Sequence, residues 1–140
     1  MANLEFNIEG LDELETDLRF AMEEYPKEMR SGLRKIANDF KKSCKSRTPD
    51  GKTGTVATKK LRKKFGVRTR VEGDTTLALV FNSARHFHLV ENGHNVVRNG
   101  VVVGWAPGKN MMKDTRDEYK DIVPERFEKL CDEVLRRHDL

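Results

Sequence analysis

Between Glu28 and Arg47 the residues Met29, Leu33, Ile36, Phe40 and Cys44 recur at steps of four, three, four and four. That spacing draws an apolar stripe down a 3.6-residue helix and leaves Arg34, Lys35, Lys41, Lys42 and Lys45 mostly on its wet side. Thr48-Pro49-Asp50-Gly51 ends the helix, because proline bars its predecessor from helical angles and glycine permits a tight turn. One face of this helix must be buried against the rest of the chain. Its far end leads into the most basic stretch of the sequence, which runs to Arg70.

The flanking segments supply the partners. Leu4, Phe6 and Ile8 alternate with Glu5, Asn7 and Glu9 as in a short strand, which Gly10 ends. Leu11, Leu14, Leu18 and Met22 mark a first amphipathic helix that stops before Tyr25-Pro26. Pro26 suits the first turn of the second helix, where its missing N–H costs nothing, and so short a link makes the two helices neighbours. Phe65 to Glu72 predicts a strand with Val67, Thr69 and Val71 on one face and Arg68 and Arg70 on the other. Gly73-Asp74 turns the chain into a returning strand, Thr76 to Asn82, with Leu77, Leu79 and Phe81 expected to face inward.

His86 to Glu91 predicts a helical turn closed by Asn92-Gly93. Val96-Val97 and Val101-Val102-Val103 flank Arg98-Asn99-Gly100, and Asn-Gly is a strong hairpin signal. Asn110 is expected to cap a last helix, in which Pro124 should introduce a kink or a split near Asp121. The expected architecture is α+β: a small antiparallel sheet of two hairpins packed against two N-terminal helices and a long C-terminal helix. Residues 1–140 then form a single domain with a flexible basic arm at about 48–64.

Composition makes that domain thinly cored, with 36% hydrophobic and 36% charged residues among 140. Such a chain suits a subunit that completes its burial against neighbours. No run of 18 apolar residues is present, and the first residues lack the basic and apolar regions of a signal peptide, so the expected compartment is the cytoplasm. Cys44 and Cys131 fall on helical stripes without metal-like spacing and are expected to be buried thiols. The net charge of +4 conceals an asymmetry: residues 1–30 carry nine acids and three bases, and residues 31–70 carry two acids and fourteen bases. That separation suits head-to-tail self-association as well as contact with a polyanion.

Signals for catalysis fail one by one. If residues 86–91 are helical, His86 and His88 point about 200° apart, which spoils a shared ligand set with Glu91 and His94. No serine occupies a Gly-x-Ser-x-Gly turn, and both cysteines lie on core stripes. Gly51-Lys52-Thr53-Gly54 lacks both the leading glycine of a phosphate loop and a strand before it. The basic stretch is the stronger signal: Lys52, Lys59, Lys60, Arg62, Lys63, Lys64, Arg68 and Arg70 place eight cations over nineteen residues without an acid. Three readings stay open for it: a solvated loop, a loop docking on acidic residues of another subunit, and a contact to DNA backbone. Only Phe65 interleaves the cations, which is poor provision for stacking on single strands.

Several segments resemble one family. The opening Ile8-Glu9-Gly10-Leu11-Asp12-Glu13-Leu14 is similar to the start of tailed-bacteriophage head–tail joining proteins, the neck or tail-completion family. So are the long helix leading to Thr48-Pro49, then Thr53-Gly54, then Leu61-Arg62 before a strand. The run from Ala84 through His86, Phe87, His88, Glu91 and Gly93 to His94 is a third match, and the helix after Pro107-Gly108-Lys109-Asn110 a fourth. Departures are the long Thr55–Lys60 segment, His94 where threonine is common, and His86-Phe87 in place of Tyr-Ala. The resemblance implies a non-enzymatic virion protein without cofactor, assembled in the host cytoplasm. It implies a ring bridging the connector and head-completion proteins to the tail, around the channel that DNA crosses.

In such a ring the acidic first helix of one copy is expected to meet the basic arm of the next. Glu13, Asp17, His86, His88, Glu91 and His94 are then the candidate interface residues. A small nucleic-acid-binding regulator that uses the basic residues 52–70 is the competing expectation, and a metal nuclease built on Glu91 and His94 a remote third.

Overall fold

A computed structural model describes residues 12–48, 61–73 and 75–138, without the side chains of residues 12–15. The expected strand around Leu4–Ile8 and residues 49–60 of the basic arm lie outside the described residues. The elements run α1 (Asp12–Glu24), α2 (Pro26–Ser46), a 3₁₀ turn (Arg62–Lys64), β1 (Phe65–Glu72), β2 (Thr75–Asn82), α3 (Phe87–Asn92), β3 (Gly93–Arg98), β4 (Val101–Pro107) and α4 (Met111–Arg137). The fold is α+β, as the sequence pattern predicts. The two hairpins form separate two-stranded antiparallel sheets, not one.

Helix α2 starts at Pro26, whose ring pre-sets the first turn. Its stripe buries Met29, Ile36, Phe40 and Cys44 together with Ala37, while Leu33 is only partly covered. At the other end Thr48 Oγ1 donates to the carbonyl of Cys44 at 2.8 Å, and Arg62 Nε donates to that of Lys45 at 3.1 Å. These two donors add to the bonds that Arg47 N and Thr48 N make to the same carbonyls, and together they close the last turn.

Helix α4 lies antiparallel along α2, as the cross-links show in reverse order. Glu28 meets Arg137 at 3.4 Å, Asp39 meets Arg126 at 2.6 Å, and Arg47 donates to Thr115 Oγ1 at 2.7 Å and also pairs with Glu118. The partly exposed ion pairs contribute only about 0.2–1 kcal/mol each. Burying one Phe40 or Met29 side chain contributes about 1.5–3 kcal/mol, so apolar packing decides the association. Phe40 meets Tyr119 edge-on with centroids 5.2 Å apart. Gly32 admits Leu130, whose Cδ1 lies 2.1 Å from where a Cβ would stand. Pro124 does not split α4, which runs as one helix of 27 residues.

The first hairpin packs on another part of α2. Its register pairs Phe65 with Asn82, Val67 with Val80 and Thr69 with Ala78, and this set faces the core. Leu77, Leu79 and Phe81 therefore take the opposite face, contrary to the inward orientation expected from their size. Asn82 explains the phase. It is fully buried because its Nδ2 donates to the Leu61 carbonyl at 2.9 Å and its Oδ1 accepts from Ala84 N at 2.9 Å. A satisfied polar residue can hold an inward position that an alternation count reserves for an apolar one.

Cys44 and Cys131 are free and buried. Burial pushes the Cys44 thiol from 9.0 up to about 11, against the lowering effect of a hydrogen bond with Thr115. Burial, with Asp17 and Asp132 adding to it, takes Cys131 to about 11 as well. The folded chain keeps protons that the unfolded chain gives up, so this contribution to stability is intact below about pH 9 and is lost as pH rises towards 11. Urea titrations should show a midpoint that falls over this interval, with a flatter fall in the Cys44→Ala/Cys131→Ala chain. In the native protein both thiols should resist a thiol reagent that labels them rapidly once urea unfolds the chain.

Candidate functional site

The start of α4 shows what the residues from Ala84 to His94 do. A helix N-terminus presents four N–H groups without helical partners. Asn110 stands at the N-cap as expected, but it adopts left-handed angles (φ 50°, ψ 40°) and its side chain makes no capping bond. Glu91 supplies the cap from α3. Met112 N donates to its Oε1 at 3.0 Å and to its Oε2 at 3.1 Å, and Lys113 N approaches Oε2 at 3.4 Å. The carboxylate is 7% exposed, and negative charge at a helix N-terminus is favourable.

Backbone bonds close the same clasp. Lys109 N donates to the Val90 carbonyl at 2.8 Å and Asn110 N to that of Glu91 at 3.1 Å. Gly108 is required here, since a Cβ on it would stand 2.4 Å from the Glu91 carbonyl oxygen. Phe87, buried beneath α3, meets Phe65 edge-on at 5.6 Å and ties the clasp to β1.

The other candidates separate in space. His86 is half-buried before α3 and His88 is exposed beyond Phe87. His94 Nδ1 faces the Leu89 carbonyl at 3.3 Å. Among the described residues no group of three or more His, Cys, Asp or Glu side chains is arranged for a metal ion. Asp17 is exposed on α1, and the side chain of Glu13 lies outside the described residues. Glu91 faces inward, so its charge meets α4.

Of the eight basic residues singled out, Lys52, Lys59 and Lys60 lie outside the described residues. Arg62 turns back to the end of α2. Lys63 and Lys64 are exposed on the 3₁₀ turn. Arg68 and Arg70 continue the cationic line along the outer face of the first hairpin, opposite Leu79 and Leu77. The Arg68 guanidinium lies 5.3 Å from the centre of the Phe81 ring. Arg70 pairs with Glu72 at 2.8 Å, a contact of small energy since both side chains are 54% exposed.

The second hairpin presents a surface that the sequence pattern does not announce. Asn99 (φ 51°) and Gly100 (φ 77°) form its two-residue turn, as Asn-Gly predicts. Its valines and Trp105 look like core residues by type, yet Val97, Val101, Val102, Val103 and Trp105 are all more than half exposed. The available signal was isolation: no third strand is predicted nearby to cover them.

A family model described as "Bacteriophage HK97-gp10, putative tail-component" matches residues 12–93, more than half of the chain. The chain belongs to this family. No curated protein and no solved structure matches it. The HK97-gp10-like match runs from the start of α1 through α3 to Gly93, and so contains the carboxylate half of the clasp. This is a phage tail-component family, not an enzyme family. Among the described residues no helix is long and apolar enough to cross a membrane.

Removing the cap tests the clasp. Glu91→Ala should lower unfolding free energy by about 1–3 kcal/mol, the cost of leaving buried donors unpaired. Gly108→Ala should cost about 1–3 kcal/mol through overpacking. Gly104→Ala, which meets nothing within 4 Å, is the control and should stay within about 0.5 kcal/mol of wild type in urea titration.

Proposed function

We propose that this protein is a structural virion assembly protein of a tailed phage or prophage, a ring subunit that joins the head connector to the tail. The observation that carries the reading is membership of the HK97-gp10-like tail-component family over residues 12–93. The chemistry of the chain agrees with it. Among the described residues the one buried carboxylate caps a helix, the thiols are buried and held in the neutral form, and the exposed surface offers apolar, cationic and acidic patches suited to contact. Such a protein works by fitting against copies of itself, head-completion proteins and tail proteins, in particles assembled in the host cytoplasm.

In this reading residues 1–140 are one domain, and the arm at about 48–64, together with Lys63, Lys64, Arg68 and Arg70, is a contact surface. It meets acidic groups of neighbouring virion proteins and, without regard to sequence, the phosphates of DNA in the channel. Lys and Arg contacts to phosphate release counterions, so any DNA affinity falls steeply with salt.

The arm is tested with Lys60→Glu/Lys63→Glu/Lys64→Glu, leaving Arg62 in place because it holds the end of α2. The expected result is a chain with wild-type melting behaviour that fails to complement a phage lacking the gene, with separate heads and tails accumulating. Joined, infectious particles in normal yield would overturn the role of the arm. Tight binding to one duplex sequence at physiological salt would point instead to a regulator.

A further inference from the structure

The least covered part of the described chain is the β3–β4 ribbon. Its register pairs Val97 with Val102 and Asn95 with Trp105, so these side chains share one face. On that face Val97, Val102 and Trp105 are 56%, 58% and 61% exposed. Among the described residues the ribbon is met chiefly by α3, at its base. A two-stranded ribbon is marginal in water without something packed on it, and contiguous exposed apolar surface marks a contact site. No acid lies between Asn92 and Asn110, whereas Arg98 and Lys109 are cationic. The surface that covers the ribbon should therefore have an apolar centre and an acidic surround.

The outer face of α1 has that combination. Phe20 is 42% exposed. Helical spacing sets Thr16 and Asp17 one turn before it and Glu23 and Glu24 one turn after, and all four are exposed. Over its 13 residues α1 carries six acids and one base. We propose that the ribbon of one copy packs across α1 of a second copy, with Val97, Val102 and Trp105 covering Phe20. Arg98 alternates to the other face beside Val97, and at the turn its long side chain reaches round the ribbon edge to the Glu23–Glu24 pair.

Charge rules out the simpler pairings. Two ribbons face to face supply no acid for Arg98 or Lys109. Phe65, the aromatic that follows the basic arm, is only 6% exposed in the core of its own chain and is not free to cover Phe20. A ribbon-to-helix contact is heterologous: each copy offers one donor surface and one acceptor surface, and repetition closes into a ring when the rotation permits. The inference rests on the ring reading and names the contact that builds it.

Complementation between two broken chains is the test, read by analytical ultracentrifugation of the full protein. Val102→Asp/Trp105→Ser breaks the ribbon and Phe20→Asp breaks α1. Each alone should self-associate about thirtyfold or more weakly than wild type, the size of a central interface loss, with unchanged melting. Mixed, they should form 1:1 heterodimers that do not grow, because only one ribbon and one α1 remain usable. Arg98→Glu should weaken assembly, and Glu23→Lys/Glu24→Lys on the partner chain should restore it. Assembly that survives both broken variants, or that Phe20→Asp leaves untouched, overturns the contact while the ring stands. A wild-type chain that stays monomeric at high concentration, while the ribbon variant blocks particle joining, assigns the ribbon to another virion protein and overturns the inference. Failure of the ring reading itself shows separately, as normal joining without this gene.

Discussion

Packing of the α2 stripe against two partners is the constraint on which the rest of the structure depends. Phe40 and Cys44 meet α4 through Tyr119 and Thr115, while Ile36, Ala37 and Phe40 also border the groove closed by Ala78 and Val80 of the first hairpin. With only 36% hydrophobic residues in the chain, one helix has to serve both sides at once. Gly32 extends the economy, since it lets Leu130 approach the α2 backbone where any side chain would hold α4 away. The ion pairs that run along the same seam fix its antiparallel direction better than they stabilise it.

Periodicity made α2, both hairpins and the burial of the cysteines legible, because each is decided by residues close together in sequence. The Asn-Gly turn and the face of β1 that carries Val67 belong with them. What failed depended on distant partners. In β2 the run Leu77-Ala78-Leu79-Val80-Phe81 is apolar at every position, so its phase was set by Asn82, whose two partners lie at Leu61 and Ala84. At α4 the local cap, Asn110, was the natural expectation, yet the bond comes from Glu91, 21 residues away from Met112. Pro124 predicts a kink or a split, yet α4 runs unbroken through it. A proline removes one ladder bond, and the packing on either side of it, at Val123 and Leu130, keeps the helix continuous.

The candidate site was legible in charge and not in shape. Counting cations located the stretch from Lys52 to Arg70, but only the register shows that Arg68 and Arg70 lie over Leu79 and Leu77, so that the outer face of the hairpin is amphipathic. Glu91 stood out among the histidines as a possible ligand or contact. Its burial and its bonds to α4 make it the joint between the family-matched part of the chain and the helix that follows.

That joint also explains how the chain tolerates so bare a ribbon. Residues 93–107 leave α3 at Gly93, whose φ of 90° is open to glycine, and return at Gly108 against the backbone they left. The clasp closes beneath the ribbon through the Val90 and Glu91 carbonyls, so α4 is held in place whatever the ribbon touches. Apolar side chains can therefore be carried outward on the ribbon while the core behind it is complete. A chain built in this way can fold with its ribbon bare, and in the proposed contact the free energy of covering Val97, Val102 and Trp105 goes to assembly.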